Sequence, residues 1–101
     1  MPSTANLDRL RLLHSVATLG TIAAAARANS YTASAVSQQL ASLEREVGTS
    51  LLDRSNRGVA LTPAGRVLSE HASLILDLVD TALADVRQTA HADSPTPVRV
   101  G

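Results

Sequence analysis

Thr32-Ala-Ser-Ala-Val-Ser-Gln-Gln-Leu-Ala-Ser-Leu-Glu-Arg-Glu-Val47 is the stretch that decides how this chain folds. Val36, Leu40, Leu43 and Val47 recur at steps of four, three and four, which predicts a helix with those residues on one buried face. Thr32 can cap its start and Gly48 sits where it should stop. The opposite face carries Ser34, Ser37, Gln38, Ala41 and Arg45, polar but with little charge. Short hydroxyls and an amide at the leading end of a helix suit a major groove, where small donors and acceptors meet base edges. Ser, Ala and Gln also make an ordinary solvated helix face, so this stretch alone leaves the two readings level.

Upstream, Leu7 to about Leu19 reads as a first helix burying Leu7, Leu10, Leu13, Val16 and Ala17, a stripe that Leu12 can extend. His14 falls between apolar positions and is expected to be partly covered by packing. Gly20 ends this helix and Thr21 caps a second, Ile22 to Ala28, whose run Ala23 to Ala26 combines high helix propensity with almost no bulk. So thin a helix lets a neighbour approach closely. Asn29-Ser30-Tyr31 is the turn, with Tyr31, the chain's one aromatic residue, plugging the junction. Thr21 to Val47 is thus a helix-turn-helix.

Downstream, Leu51 and Leu52 are expected to be buried, and Arg54 opens a segment that reverses at Asn56-Arg57-Gly58 and returns through Val59 and Leu61. Glycine at a tight reversal favours a two-stranded hairpin. Arg57 at its tip and Arg54 nearby are a weak signal alone. After a helix-turn-helix, the hairpin has the position of a wing, from which arginine reaches phosphates or the minor groove. Thr62-Pro63 starts another helix, running to about Ala90. Leu68, Ala72, Ile75, Val79, Ala82 and Val86 form a heptad-like seam along it, widened by Leu74, Leu76, Leu78 and Leu83. One small domain cannot cover so long a stripe, so that seam is expected to pair two subunits. Asp93-Ser-Pro-Thr-Pro97 reads as a linker, and Val98-Arg-Val100 as the opening of a strand.

Composition narrows the function. The 101 residues contain no cysteine, which excludes disulfides, thiolate catalysis and cysteine-based zinc sites. His14, His71 and His91 are scattered, no phosphate-binding glycine loop is present, and no nucleophile has a base beside it, so neither an enzyme nor a metal site is expected. No apolar run is long enough to span a membrane, and the expected location is the cytoplasm, at the nucleoid. The zero net charge hides an asymmetry: residues 1–66 hold seven arginines against four acids, residues 67–101 two against five. The +3 portion suits a polyanion, weakly as a single copy and better when doubled.

In order and spacing these parts resemble the amino-terminal DNA-binding domain of LysR-type transcriptional regulators. The residues that carry the resemblance are Leu10, Gly20-Thr21-Ile22, Ala25-Ala26, Ala35-Val36-Ser37-Gln38-Gln39-Leu40, Leu43-Glu44, Val47-Gly48, Leu51-Leu52-Asp53-Arg54 and Val59-Ala-Leu-Thr-Pro-Ala-Gly65, and it covers residues 7–92. The resemblance implies a mainly α fold: a winged helix-turn-helix over 1–61, a dimerisation helix over 62–92, and over 93–101 a hinge and the start of a truncated effector-binding domain. It implies sequence-specific binding of a double-stranded DNA operator by a homodimer, with tetramers known among full-length members, and regulation of transcription. No cofactor is expected; a small-molecule effector belongs to the missing carboxy-terminal domain. By position, Ala33, Ser34, Ser37 and Gln38 approach bases, Thr21 and Thr32 approach the DNA backbone, and Arg54 and Arg57 are wing contacts. Gln39 matches a family glutamine and is assigned to supporting the helix. Ser34 stands where many members have proline, Asn29 where a bulky apolar residue is usual, and Ala33 where a polar group is often seen. Gln38 replaces a common arginine, trading a guanine-favouring donor for an amide that pairs better with adenine. The competing class is a helical protein–protein interaction module without DNA binding.

Overall fold

The computed structural model describes residues 4–55 and 58–93. They form, in chain order, α1 (Thr4–Leu19), α2 (Ile22–Ala28), α3 (Ala33–Val47), β1 (Leu52–Ser55), β2 (Gly58–Leu61) and α4 (Pro63–Asp93). The reversal at Asn56-Arg57 and the expected linker and strand opening after residue 93 lie outside the described residues.

The core lies where α1, α2 and α3 meet, and α1 is its hub because it touches α2, α3 and α4. A helix covered on several sides needs a wide apolar face. Accordingly Leu12 is fully buried with Leu13 and Val16, extending the stripe, while Leu7 and Leu10 are half-buried. Ala17 is exposed, against the expectation from spacing, because the buried face is rotated towards Leu12. His14 is half-buried as expected.

Thr21 caps α2 by accepting the Ala24 N–H at 3.0 Å, and Thr32 caps α3 by accepting that of Ala35 at 3.0 Å. The alanine helix does what its thinness suggests: Ala25 and Ala26 are buried, which lets α1 and α3 both pack against it. The turn closes through the Tyr31 N–H, which donates to the Ala26 carbonyl at 2.8 Å, and the Tyr31 ring packs half-buried on the core. Asn29 explains itself as a polar clamp. Its amide nitrogen donates to Ser15 Oγ at 2.9 Å and to the Ala25 carbonyl at 2.8 Å, tying the end of α2 to α1 where an apolar side chain would otherwise pack.

Val36, Leu40 and Leu43 are buried as the spacing of α3 requires. Val47 is not. It stands exposed beside an open apolar groove shared with Val67, Leu68 and His71, because the helix ends there and the chain turns away at Gly48 in the left-handed region, φ 78°. β1 and β2 pair antiparallel with Leu52 opposite Leu61 and Arg54 opposite Val59. The Thr62 hydroxyl caps α4 by accepting the Gly65 N–H at 3.0 Å.

At 31 residues α4 is about 46 Å long, and it draws the molecule out to 65 Å. Among the described residues, only its first half has anything to lie against. Ala72 is fully buried and Leu68 packs on the core, whereas every residue from Asp80 to Ala92 is exposed.

Candidate nucleic-acid interface

The outer face of α3 is held from behind by polar contacts as well as by its leucines. Arg9 Nε of α1 donates to Gln39 Oε1 at 2.9 Å, and the same guanidinium reaches Glu46 at 3.5 Å. Gln39 therefore supports the helix and does not face outward. On the free side Ala33, Ser34 and Gln38 are exposed and Ser37 is half-buried, with Arg45 two turns further on donating to Ser42 Oγ at 3.0 Å. The four residues assigned to base reading thus share one accessible surface at the start of the helix. Thr32 stands exposed at its N-terminus, and Thr21 exposed at that of α2. Each hydroxyl spends a lone pair on its cap, which leaves its proton to donate to a phosphate oxygen.

Arg54 is exposed on β1, next to Asp53, and forms no ion pair with a described residue. Arg57, its expected companion, lies outside the described residues. The charge asymmetry sharpens in three dimensions. Asp8 pairs with Arg11 at 3.4 Å and Glu46 with Arg9, while the Glu44 carboxylate accepts backbone N–H groups. Arg27, Arg45, Arg54 and Arg66 are all exposed, and Asp53 is left as the exposed acid nearby.

Two groups in this region are not apparent from residue types alone. Glu44 Oε2 accepts from the Leu51 N–H at 2.8 Å and the Leu52 N–H at 3.1 Å, linking α3 to the root of the hairpin. Gly65 lies so close to the Leu51 carbonyl that a Cβ there would collide with it. A Leu-Glu pair near a helix end, and Gly after Thr-Pro-Ala, were the visible signals; neither says what it touches.

The seam assigned to subunit pairing is divided by the fold. Ala72 is buried by packing within the chain and Leu68 is partly buried on the core, so these two lie on the side of the seam that faces the rest of the chain. Val79 is half-buried, and Ile75, Ala82 and Val86 are exposed. A second exposed stripe runs one residue earlier, through Val67, His71, Leu74 and Leu78, and further along the helix Leu83 and Val86 are exposed as well; Leu74 and Leu78 are each 69% exposed.

No group of three His, Asp or Glu side chains able to hold a metal occurs among the described residues, and no helix there is long and apolar enough to cross a membrane. Residues 7–66 match the family model described as bacterial regulatory helix-turn-helix protein, lysR family. The HTH-type transcriptional regulator YofA of Bacillus velezensis is 37% identical over 92 residues, which cover 91% of this chain and 31% of that protein. Among solved structures, the complex of the CbnR DNA-binding domain with DNA superposes with a TM-score of 0.77 at 34% identity, covering 83% of this chain and 97% of that one. The complex of the BenM DNA-binding domain with the catB site 1 DNA gives 0.80 at 30% identity, over 83% and 94%. The chain spans less than a third of the length of the curated relatives it matches.

Proposed function

Because the chain belongs to the lysR family of bacterial regulatory helix-turn-helix proteins, we propose that it binds double-stranded DNA sequence-specifically, as a dimer, and regulates transcription. The observation that carries this reading is the outer face of α3: small, uncharged and exposed at its leading end, yet braced from behind by Val36, Leu40, Leu43 and the Arg9–Gln39 bond. That bracing fixes the direction in which the exposed face points, which a helix that reads base edges requires. Ser34, Ser37 and Gln38 would read base edges across the thin Ala33 position, Thr21 and Thr32 would donate to phosphates, and Arg54 and Arg57 would follow the backbone from the wing.

Pairing of two copies through α4 fits the same reading. The modest positive charge of one copy is doubled, and two recognition helices can meet two half-sites. Leu74 and Leu78, with Val67, Ile75, Leu83 and Val86, form the surface that a second copy would cover. The solvent-exposed second half of α4 supports this, since a helix of that length with exposed leucines is otherwise an aggregation hazard. Response to a small molecule, assembly beyond a dimer and a cytoplasmic, nucleoid-associated location belong to this reading of the whole regulator.

Selection from random duplexes with this chain, at two salt concentrations, tests it. Enrichment of a two-fold-related motif, with affinity falling steeply as salt rises, is the expected result. A folded dimer that enriches nothing and ignores salt would contradict it.

A further inference from the structure

The root of the wing hangs from a single carboxylate oxygen. The Glu44 main-chain carbonyl accepts the Gly48 N–H at 2.8 Å, closing α3, while its side chain turns forward and Oε2 accepts the N–H groups of Leu51 and Leu52. Leu51 and Leu52 are 2% and 6% exposed, so water cannot replace that oxygen. The opposite edge of the same segment belongs to α4. The Leu51 carbonyl accepts the Thr62 N–H at 3.0 Å, the Ser50 carbonyl accepts the Thr62 hydroxyl at 2.7 Å, and Gly65 packs against the Leu51 carbonyl. Carbonyls are thus held by α4 and N–H groups by α3. One residue later the strands leave the body, carrying the exposed Arg54.

We propose that Glu44 is a positioning residue for DNA recognition: its carboxylate sets the wing against α3, so that Arg54 meets phosphate in register with the bases facing Ser34, Ser37 and Gln38. The proposal rests on the DNA-binding reading above. Without Glu44 the wing stays folded on α4, through Thr62 and Gly65, but loses its fixed relation to the reading helix. Both N–H groups bond the same oxygen, so the amide oxygen of glutamine can serve in its place.

The test uses the whole chain as wild type, Glu44→Ala and Glu44→Gln, each with and without Arg54→Ala. In the free protein, amide exchange at Leu51 and Leu52 is slow in the wild type and in Glu44→Gln and faster by about tenfold in Glu44→Ala. On a mixed-sequence DNA duplex, Arg54→Ala lowers the slope of log affinity against log salt by about one in the wild-type and Gln backgrounds. In the Ala background it lowers nothing further, because the wing contact is already gone. Unchanged exchange in Glu44→Ala, or the same loss from Arg54→Ala in all three backgrounds, overturns the proposal. If Glu44→Ala loses its helical circular dichroism, Glu44→Asp, which withdraws the carboxylate by one methylene, takes its place with the same expected outcomes. A wild type that binds no duplex overturns the DNA-binding reading and this proposal with it; a wild type that binds, with additive losses, overturns this proposal alone.

Discussion

On the proposed reading Gln38 and Arg57 would act on DNA in different ways, and single substitutions separate them. Gln38 presents an amide that can bond bidentately to adenine, so Gln38→Ala is expected to flatten preference at one base pair of each half-site. The discrimination at stake is about 1–3 kcal/mol, read by competition between duplexes that differ at that position; an unchanged profile removes Gln38 from base reading. Arg57→Ala is expected to weaken binding to all duplexes alike, and unchanged affinity would contradict that role. The exposed position of Gln38 on α3 was legible because it depends on residue type and helical position. Glu44, Asn29 and Gly65 were not. Each acts through a partner that only the folded chain brings near: the Leu51 and Leu52 amides, Ser15 Oγ and the Leu51 carbonyl. The sequence offered a family-like Leu-Glu pair and an out-of-place asparagine, but no spacing rule connects position 29 to position 15.

Among the elements, α1 to α3 and the hairpin were readable from caps, periodicity and one glycine reversal, and their bounds agree with the expected ones to within a few residues. Along α4 the period left two phases open. Val67, His71, Leu74 and Leu78 follow the same four–three–four spacing as Leu68, Ala72, Ile75 and Val79. Two parallel stripes one residue apart are indistinguishable by period; the position of α1 decides that Ala72 and much of Leu68, from the second, are buried within the chain. Replacing both Leu74 and Leu78 by Asp is therefore expected to leave the thermal unfolding of the chain near that of the wild type while converting a dimer to a monomer in sedimentation. A variant that still sediments as a dimer places the interface elsewhere. Ala72→Asp is expected instead to unfold the packing of α4 on α1, because it buries a charge without a partner. The start of α4 is tightly specified too. Gly65→Ala, which overpacks the Leu51 carbonyl, should cost about 1–3 kcal/mol in denaturant unfolding, and a neutral result would mean that the loop yields freely.

At the scale of the molecule, shape and charge divide the chain into a compact reading head and a long arm. The head carries the arginine excess, with most of its acids tied to Arg9, Arg11 or the loop amides; the arm carries exposed leucines, and Glu70, Asp77, Asp80 and Asp85, which form no ion pair with a described residue. Sequence alone showed this division as +3 against −3, yet could not show that internal pairing leaves the exposed arginines dominant. The central claim is that the outer face of α3, with the wing beside it, is the surface that meets DNA. The most direct test maps amide chemical-shift changes across the chain as a DNA duplex recovered by selection is added. The largest changes are expected at Thr21, Thr32 to Gln38 and Arg54, with the buried side of α1 unmoved. Changes concentrated along α4 and the groove at Val47 and Val67, with the start of α3 silent, would contradict it.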